Sequence, residues 1–98
     1  MGGRSSESFE LALRDATIKG IRSVLSDSAS SALLHYMNFP PPISADKIHQ
    51  RLWDLLDDGA LILERRIIVE LYQKLNRHYS ERNGFDFEQM AAVGLAMA

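Results

Sequence analysis

A chain of 98 residues, 46% hydrophobic and 24% charged, has the size and composition of one compact domain and leaves little room for a second. It contains no cysteine, which excludes disulfides, thiolate metal sites and a thiol nucleophile. The net charge of −2 lacks the basic excess of a dedicated nucleic-acid binder.

The opening Met1-Gly2-Gly3-Arg4-Ser5-Ser6 has no hydrophobic signal core, and no apolar run approaches the length of a membrane span. A soluble, cytoplasmic protein is expected, with no membrane partner. Gly2 with Ser6 formally fits a myristoylation pattern, but the segment reads equally as a flexible end. Residues 1–7 are therefore taken as a flexible segment and residues 8–98 as a single helical domain.

The first helix is expected from about Phe9 to Leu25, because Phe9, Ala12, Leu13, Ala16, Gly20, Ile21 and Val24 recur at helical spacing. Gly20 costs about 1 kcal/mol relative to alanine inside a helix, so its place on the apolar arc predicts close approach of another helix. A second stripe, Leu11, Ile18 and Leu25, runs at seven-residue intervals on another side. Its cover is either the C-terminal segment of the same chain or a second protein molecule.

Ser26-Asp27-Ser28 offers helix caps, and Ala29, Ala32, Leu33, Tyr36 and Met37 form the face of a short second helix ending near Asn38. Pro40-Pro41-Pro42 then imposes an extended, stiff connection. Ser44 is placed to cap a third helix whose face is Ala45, Ile48, Leu52, Leu55 and Leu56, with His49 and Trp53 at its edge. Asp57-Asp58-Gly59 interrupts the pattern. Gly59 is expected to stop or bend the third helix, and the two aspartates to cap the next one.

Ala60 to Tyr79 is the longest amphipathic pattern. Ala60, Leu61, Ile67, Ile68, Leu71, Tyr72, Leu75 and Tyr79 gather on one arc, with Arg66, Glu70, Gln73 and Arg77 opposite. Pairs Arg66–Glu70 and Glu70–Lys74 stand four apart, each contributing about 0.2–0.5 kcal/mol. Helices three and four are expected to form an antiparallel hairpin about Gly59, with Leu52, Leu56, Ile67, Ile68, Leu71 and Leu75 in its core. Glu64 projects among Leu61, Ile68 and Leu71. Either it reaches solvent from the early turns of the helix, or it is buried and must meet an arginine, a lysine or a backbone donor. Asn83-Gly84 reads as a stop, and Asp86-x-x-Gln89 as a capping box opening a weak final helix from Phe87 to about Met97. Phe85 and Phe87 are its expected anchors. No strand alternation appears, so the fold class is all-α, a bundle of four to five helices.

Catalytic and metal chemistry find no motif. His35, His49 and His78 fall on three helices without metal-ligand spacing, so no metal is expected, and His49 is read as packing beside Trp53 with a backbone or water partner. No serine stands in a nucleophile elbow, and Gly59 and Gly84 are too isolated for a phosphate loop. No cofactor is expected, and the chain is read as non-enzymatic. A helix-turn-helix fits poorly, since the candidate recognition helix begins Ala60-Leu61-Ile62-Leu63.

Three segments carry a family resemblance. They are Phe9-Glu10-Leu11-Ala12-Leu13, Ile48-His49-x-x-Leu52-Trp53-x-Leu55-Leu56 followed by Asp57-Asp58-Gly59-Ala60, and Glu64-x-x-Ile67-x-x-Glu70-Leu71-Tyr72. Their order resembles that of a small archaeal output domain of the NitrOD type, found in thaumarchaeal signalling and multidomain proteins. The resemblance covers most of residues 6–87 and implies a helical accessory domain serving output or interaction, without a catalytic residue set. Asp57-Asp58 departs from the more apolar turn of that pattern.

The functional expectation is a helical interaction domain that self-associates as a dimer and serves a larger regulatory or DNA-handling protein. Leu11, Ile18, Leu25, Ile62 and Val69 are the candidate contact residues, being apolar positions that one small core does not obviously use. The alternative is a nucleic-acid-binding accessory domain using Arg65, Arg66 and Arg77, with Arg14 or Arg22 as further candidates.

Overall fold

The computed structural model describes residues 2–37, 44–76 and 86–97. Helix α1 runs Gly2–Val24, α2 Asp27–Met37, α3 Ala45–Leu56, α4 Ala60–Lys74 and α5 Phe87–Met97, with a single 3-10 turn over Asp57–Gly59. Among the described residues there is no strand, so the all-α bundle expected from periodicity is the observed architecture. The expected proline linker, the Asn83-Gly84 stop, Phe85, Arg77, His78 and Tyr79 lie outside the described residues.

Helix α4 is the hub, and α1 is its principal neighbour. Phe9, Leu13, Ala16, Gly20 and Ile21 line the buried side of α1 as the spacing predicts, while Val24 emerges into solvent at its last turn. A Cβ added at Gly20 would lie 2.8 Å from Ile67 Cγ1 and 3.0 Å from the Ile67 backbone, so glycine is what lets the two helices touch. Gly20→Ala should therefore destabilise the domain by about 1–3 kcal/mol, reversing the ordinary gain of alanine in a helix. Chemical denaturation of the variant checks this. At the other end of the contact Lys74 of α4 bonds Asp15 of α1 and holds that carboxyl below its usual range. The expected Arg66–Glu70 pair forms at 2.6 Å, while Lys74, also expected beside Glu70, bonds Asp15.

The backbone of α1 is helical from Gly2, through the segment read as flexible. Nothing in Arg4-Ser5-Ser6-Glu7 opposes helix propagation once the following turns are formed. At the far end Ser26 caps α2 by accepting the Ala29 N–H at 3.3 Å. The face of α2 is rotated from the expected one. Ser30, Leu33 and Met37 are buried, whereas Ala29, Ala32 and Tyr36 are exposed. The Ser30 hydroxyl lies 3.4 Å from the Ile21 and Leu25 carbonyls at the end of α1, giving a buried polar group its partner and fixing the rotation.

Three further corrections concern the α3–α4 connection. Leu56 is 37% exposed rather than in the core, and Leu55 is exposed beside it, because α3 ends there and the last turn overshoots the packed layer. Gly59 has an ordinary right-handed conformation, and it is Asp57 that reverses the chain, with φ 47° and ψ −124°. No side-chain cap hydrogen bond forms at the start of α4, so the two aspartates do not cap it. This backbone region favours glycine and costs other residues about 1–3 kcal/mol. Asp57→Gly should raise stability by up to about 1 kcal/mol after its larger unfolded-state entropy is subtracted, measurable as a higher melting temperature.

Helix α4 also stops earlier than its pattern suggests. Asn76 takes φ 58° and its N–H bonds the Gln73 carbonyl, a left-handed termination that asparagine tolerates. Helix α5 then docks across α3 and α4. Asp86 caps it by accepting the Gln89 N–H at 2.9 Å, as the capping box predicts. Phe87 and Ala91 are buried, and Gly94 packs against Leu71, Leu75 and Phe9. The Tyr72 hydroxyl donates to the Met90 carbonyl at 2.9 Å, and burial pushes that phenol upward. Leu52, Ile67, Ile68 and Leu71 are fully buried, with Leu75 partly buried at the edge of the same core.

Candidate functional site

Helical spacing puts Glu64 on the inner arc of α4, and the fold buries it to 1% exposure. Its partners are not the arginine, lysine or backbone donor expected. They are two side chains of α3: His49 Nδ1 lies 2.6 Å from Oε2, and Trp53 Nε1 donates to Oε1 at 3.1 Å. His49 and Trp53 stand four apart, so one face of α3 presents both donors as a fork to a single carboxylate. The reading of His49 as partnered by backbone or water is corrected by the same contact.

Phe87 of α5 completes the site, stacking on the His49 ring with centroids 6.5 Å apart and planes at 16°. Trp53 tilts against the other partner at 5.7 Å and 46°. A small cavity of about 230 Å³ lies beside the node, lined by His49, Trp53, Leu61, Glu64 and the α5 start from Asp86 to Glu88. Burial dominates the ionisation of Glu64 and pushes its carboxyl above the usual range, aided by the nearby Asp86 charge. The bonds from Trp53 and His49 oppose it without cancelling it. When the carboxyl is ionised, Nδ1–H of His49 donates to it; when it is protonated, the same short contact carries the carboxyl proton toward Nδ1.

A raised folded-state value means the folded protein keeps its proton to higher pH than the unfolded chain, so this group's contribution is fully present below about pH 4.5 and is lost as pH rises through the folded value. Glu64→Gln keeps the shape and can bond both rings, accepting from Trp53 and donating to His49 Nδ1. Its melting temperature should therefore gain on the wild type progressively as pH rises from about 4.5 toward neutrality, read by thermal scans across that range.

Chemically the node is an oriented imidazole beside a carboxylate, and among the described residues lining its cavity none bears a hydroxyl or thiol. Among the described residues no group of three histidine, aspartate or glutamate side chains converges on a point that could hold a metal ion. No described helix is long and apolar enough to cross a membrane.

The other candidate residues are spread over the outer surface. Leu11 is 69% and Ile62 62% exposed, whereas Ile18, Leu25 and Val69 are partly buried and Leu25 packs on the core. Arg65 and Arg66 are neighbours on exposed turns of α4, but Arg66 is bound to Glu70, and Arg77 falls outside the described residues. No family model, no curated protein and no solved structure matches this chain.

Proposed function

We propose that the domain is a non-enzymatic interaction module that self-associates through the outer face of α1 and α4. The observation that carries this reading is the exposure of Leu11 and Ile62, the two positions of the seven-residue apolar stripes that stand clear of the core. The Gly20–Ile67 contact and the Asp15–Lys74 pair fix α1 and α4 as antiparallel. Ile18 and Val69 then fall at the middle of the pair, with Leu11 toward one end and Ile62 toward the other. A twofold axis through the middle brings Leu11 of one copy toward Ile62 of the next, and one self-complementary patch closes the dimer.

The likeness to NitrOD-type output domains belongs to this proposal and rests on the residue pattern alone. The nucleic-acid alternative gains no support from the arginines, since glutamates interleave with them on α4 and Glu70 engages Arg66.

Light scattering across a dilution series tests the proposal. A concentration-dependent dimer is expected, and Leu11→Glu with Ile62→Glu should give a monomer with unchanged helical circular dichroism. A wild-type chain that remains monomeric at millimolar concentration would remove the reading.

A further inference from the structure

A second apolar feature lies on a different side of the molecule from the α1–α4 stripes. The start of α3, the Phe9–Leu13 stretch of α1 and the length of α5 enclose a groove of about 580 Å³. Phe9, Leu13 and Ala91 form its buried floor, and Ala45, Ala92 and Leu95 its more open walls. Each of the three helices adds one carboxylate to the lining: Glu10 from α1, Asp46 from α3 and Glu88 from α5. Among the described residues that line it there is no lysine or arginine.

We propose that this groove seats a segment of a partner protein that presents large apolar side chains flanked by lysine or arginine. The volume falls within the roughly 300–1,000 Å³ typical of binding clefts, and the small side chains of Ala45 and Ala92 leave its walls open. The acids decide the partner's charge. Carboxylates from three separate elements surround an apolar floor, an arrangement complementary to a basic amphipathic segment and repulsive to nucleic-acid phosphate. Asp46 stays ionised under ordinary conditions, since the Ser44 hydroxyl bonds its carboxylate and holds it below the usual range. This surface uses the side of α1 opposite Leu11, so it stands whether or not the domain dimerises.

The probe is a short fluorescein-labelled peptide with leucines at i, i+4 and i+7 among lysines. It is compared with a twin carrying glutamates for the lysines and a twin carrying alanines for the leucines. The lysine–leucine peptide should bind, weakening as salt rises, and both twins should bind at least about tenfold more weakly. Methyl NMR of the wild-type protein should place the shifts at Leu13, Ala91, Ala92 and Leu95 and leave Leu11 and Ile62 unmoved. Glu10→Lys with Glu88→Lys, both at the groove edge, should reduce affinity about tenfold with the helical signal intact. Absence of binding, equal binding of the glutamate twin, shifts at Leu11 and Ile62 instead, or undiminished binding by the charge-reversed protein would each overturn the proposal. Groove methyl shifts that track protein concentration without peptide would overturn it as well, by assigning the groove to a second copy.

Discussion

Removing both donors from Glu64, by His49→Ala together with Trp53→Phe, is expected to destabilise the domain by about 3–5 kcal/mol at neutral pH. The carboxylate is 1% exposed and both of its oxygens are engaged by those two rings, so the double variant leaves a buried charge without either of its side-chain donors. Part of the loss is packing, since His49 stacks on Phe87. Adding Glu64→Leu separates the two contributions. With the charge gone, about 2 kcal/mol or more should return, because an apolar side chain fits among Leu61, Ile68 and Leu71 without needing partners. Urea denaturation of the four proteins in the cycle reads the coupling directly. A double variant as stable as the wild type would show that Glu64 does not depend on the fork.

Leu71→Ala should cost about 2–5 kcal/mol and should loosen α5 first. The side chain is fully buried on α4 and lies at the contact where Gly94 brings α5 down onto the core, with Leu71 Cδ2 3.6 Å from the position a Gly94 Cβ would take. Helix α5 is held by few large side chains, chiefly Phe87, and by the Tyr72–Met90 bond. A cavity beneath Gly94 therefore removes a large part of its support. Hydrogen exchange should show amides of α5 losing protection before those of α1 and α4. Uniform loss across all helices would instead indicate a single cooperative unit that includes α5.

Gly20 shows what was legible in advance. A glycine on the apolar arc of a helix has a cost that only close approach explains, and the partner proved to be Ile67. Caps at Ser26 and Asp86 were equally readable, because side chains of that type at that offset satisfy free amides whatever the tertiary context. The outcome was different where one helix depends on another. The rotation of α2 is set by Ser30 meeting the α1 carbonyls, a pairing across nine residues that apolar periodicity does not register. At the candidate site the burial of Glu64 was one of two open readings, while its partners were sought among arginine, lysine and backbone donors. A signal for them existed: a turn centred near Asp58 brackets residue 64 with positions 49 and 53, and both bear ring N–H groups at the edge of the α3 face. Helix ends were the weakest part, since Asn76 and Asp57 act through positive φ and either residue fits right-handed positions as well.

The position of α4 as hub also bears on how the chain assembles. The buried side of α1 finds its main cover only near Ile67 and Lys74, some 50 residues later in the sequence, so the most extensive contact in the domain is also among its most distant. Closing that separation costs loop entropy before any burial offsets it, which raises the contact order above that of a simple chain of neighbouring hairpins. During synthesis α1, α2 and α3 emerge with their apolar faces unmatched, and productive collapse waits for α4. The two parts of the chain are thus interdependent: α1 has its main cover only in α4, and the first to appear is the one that needs protection until the second arrives.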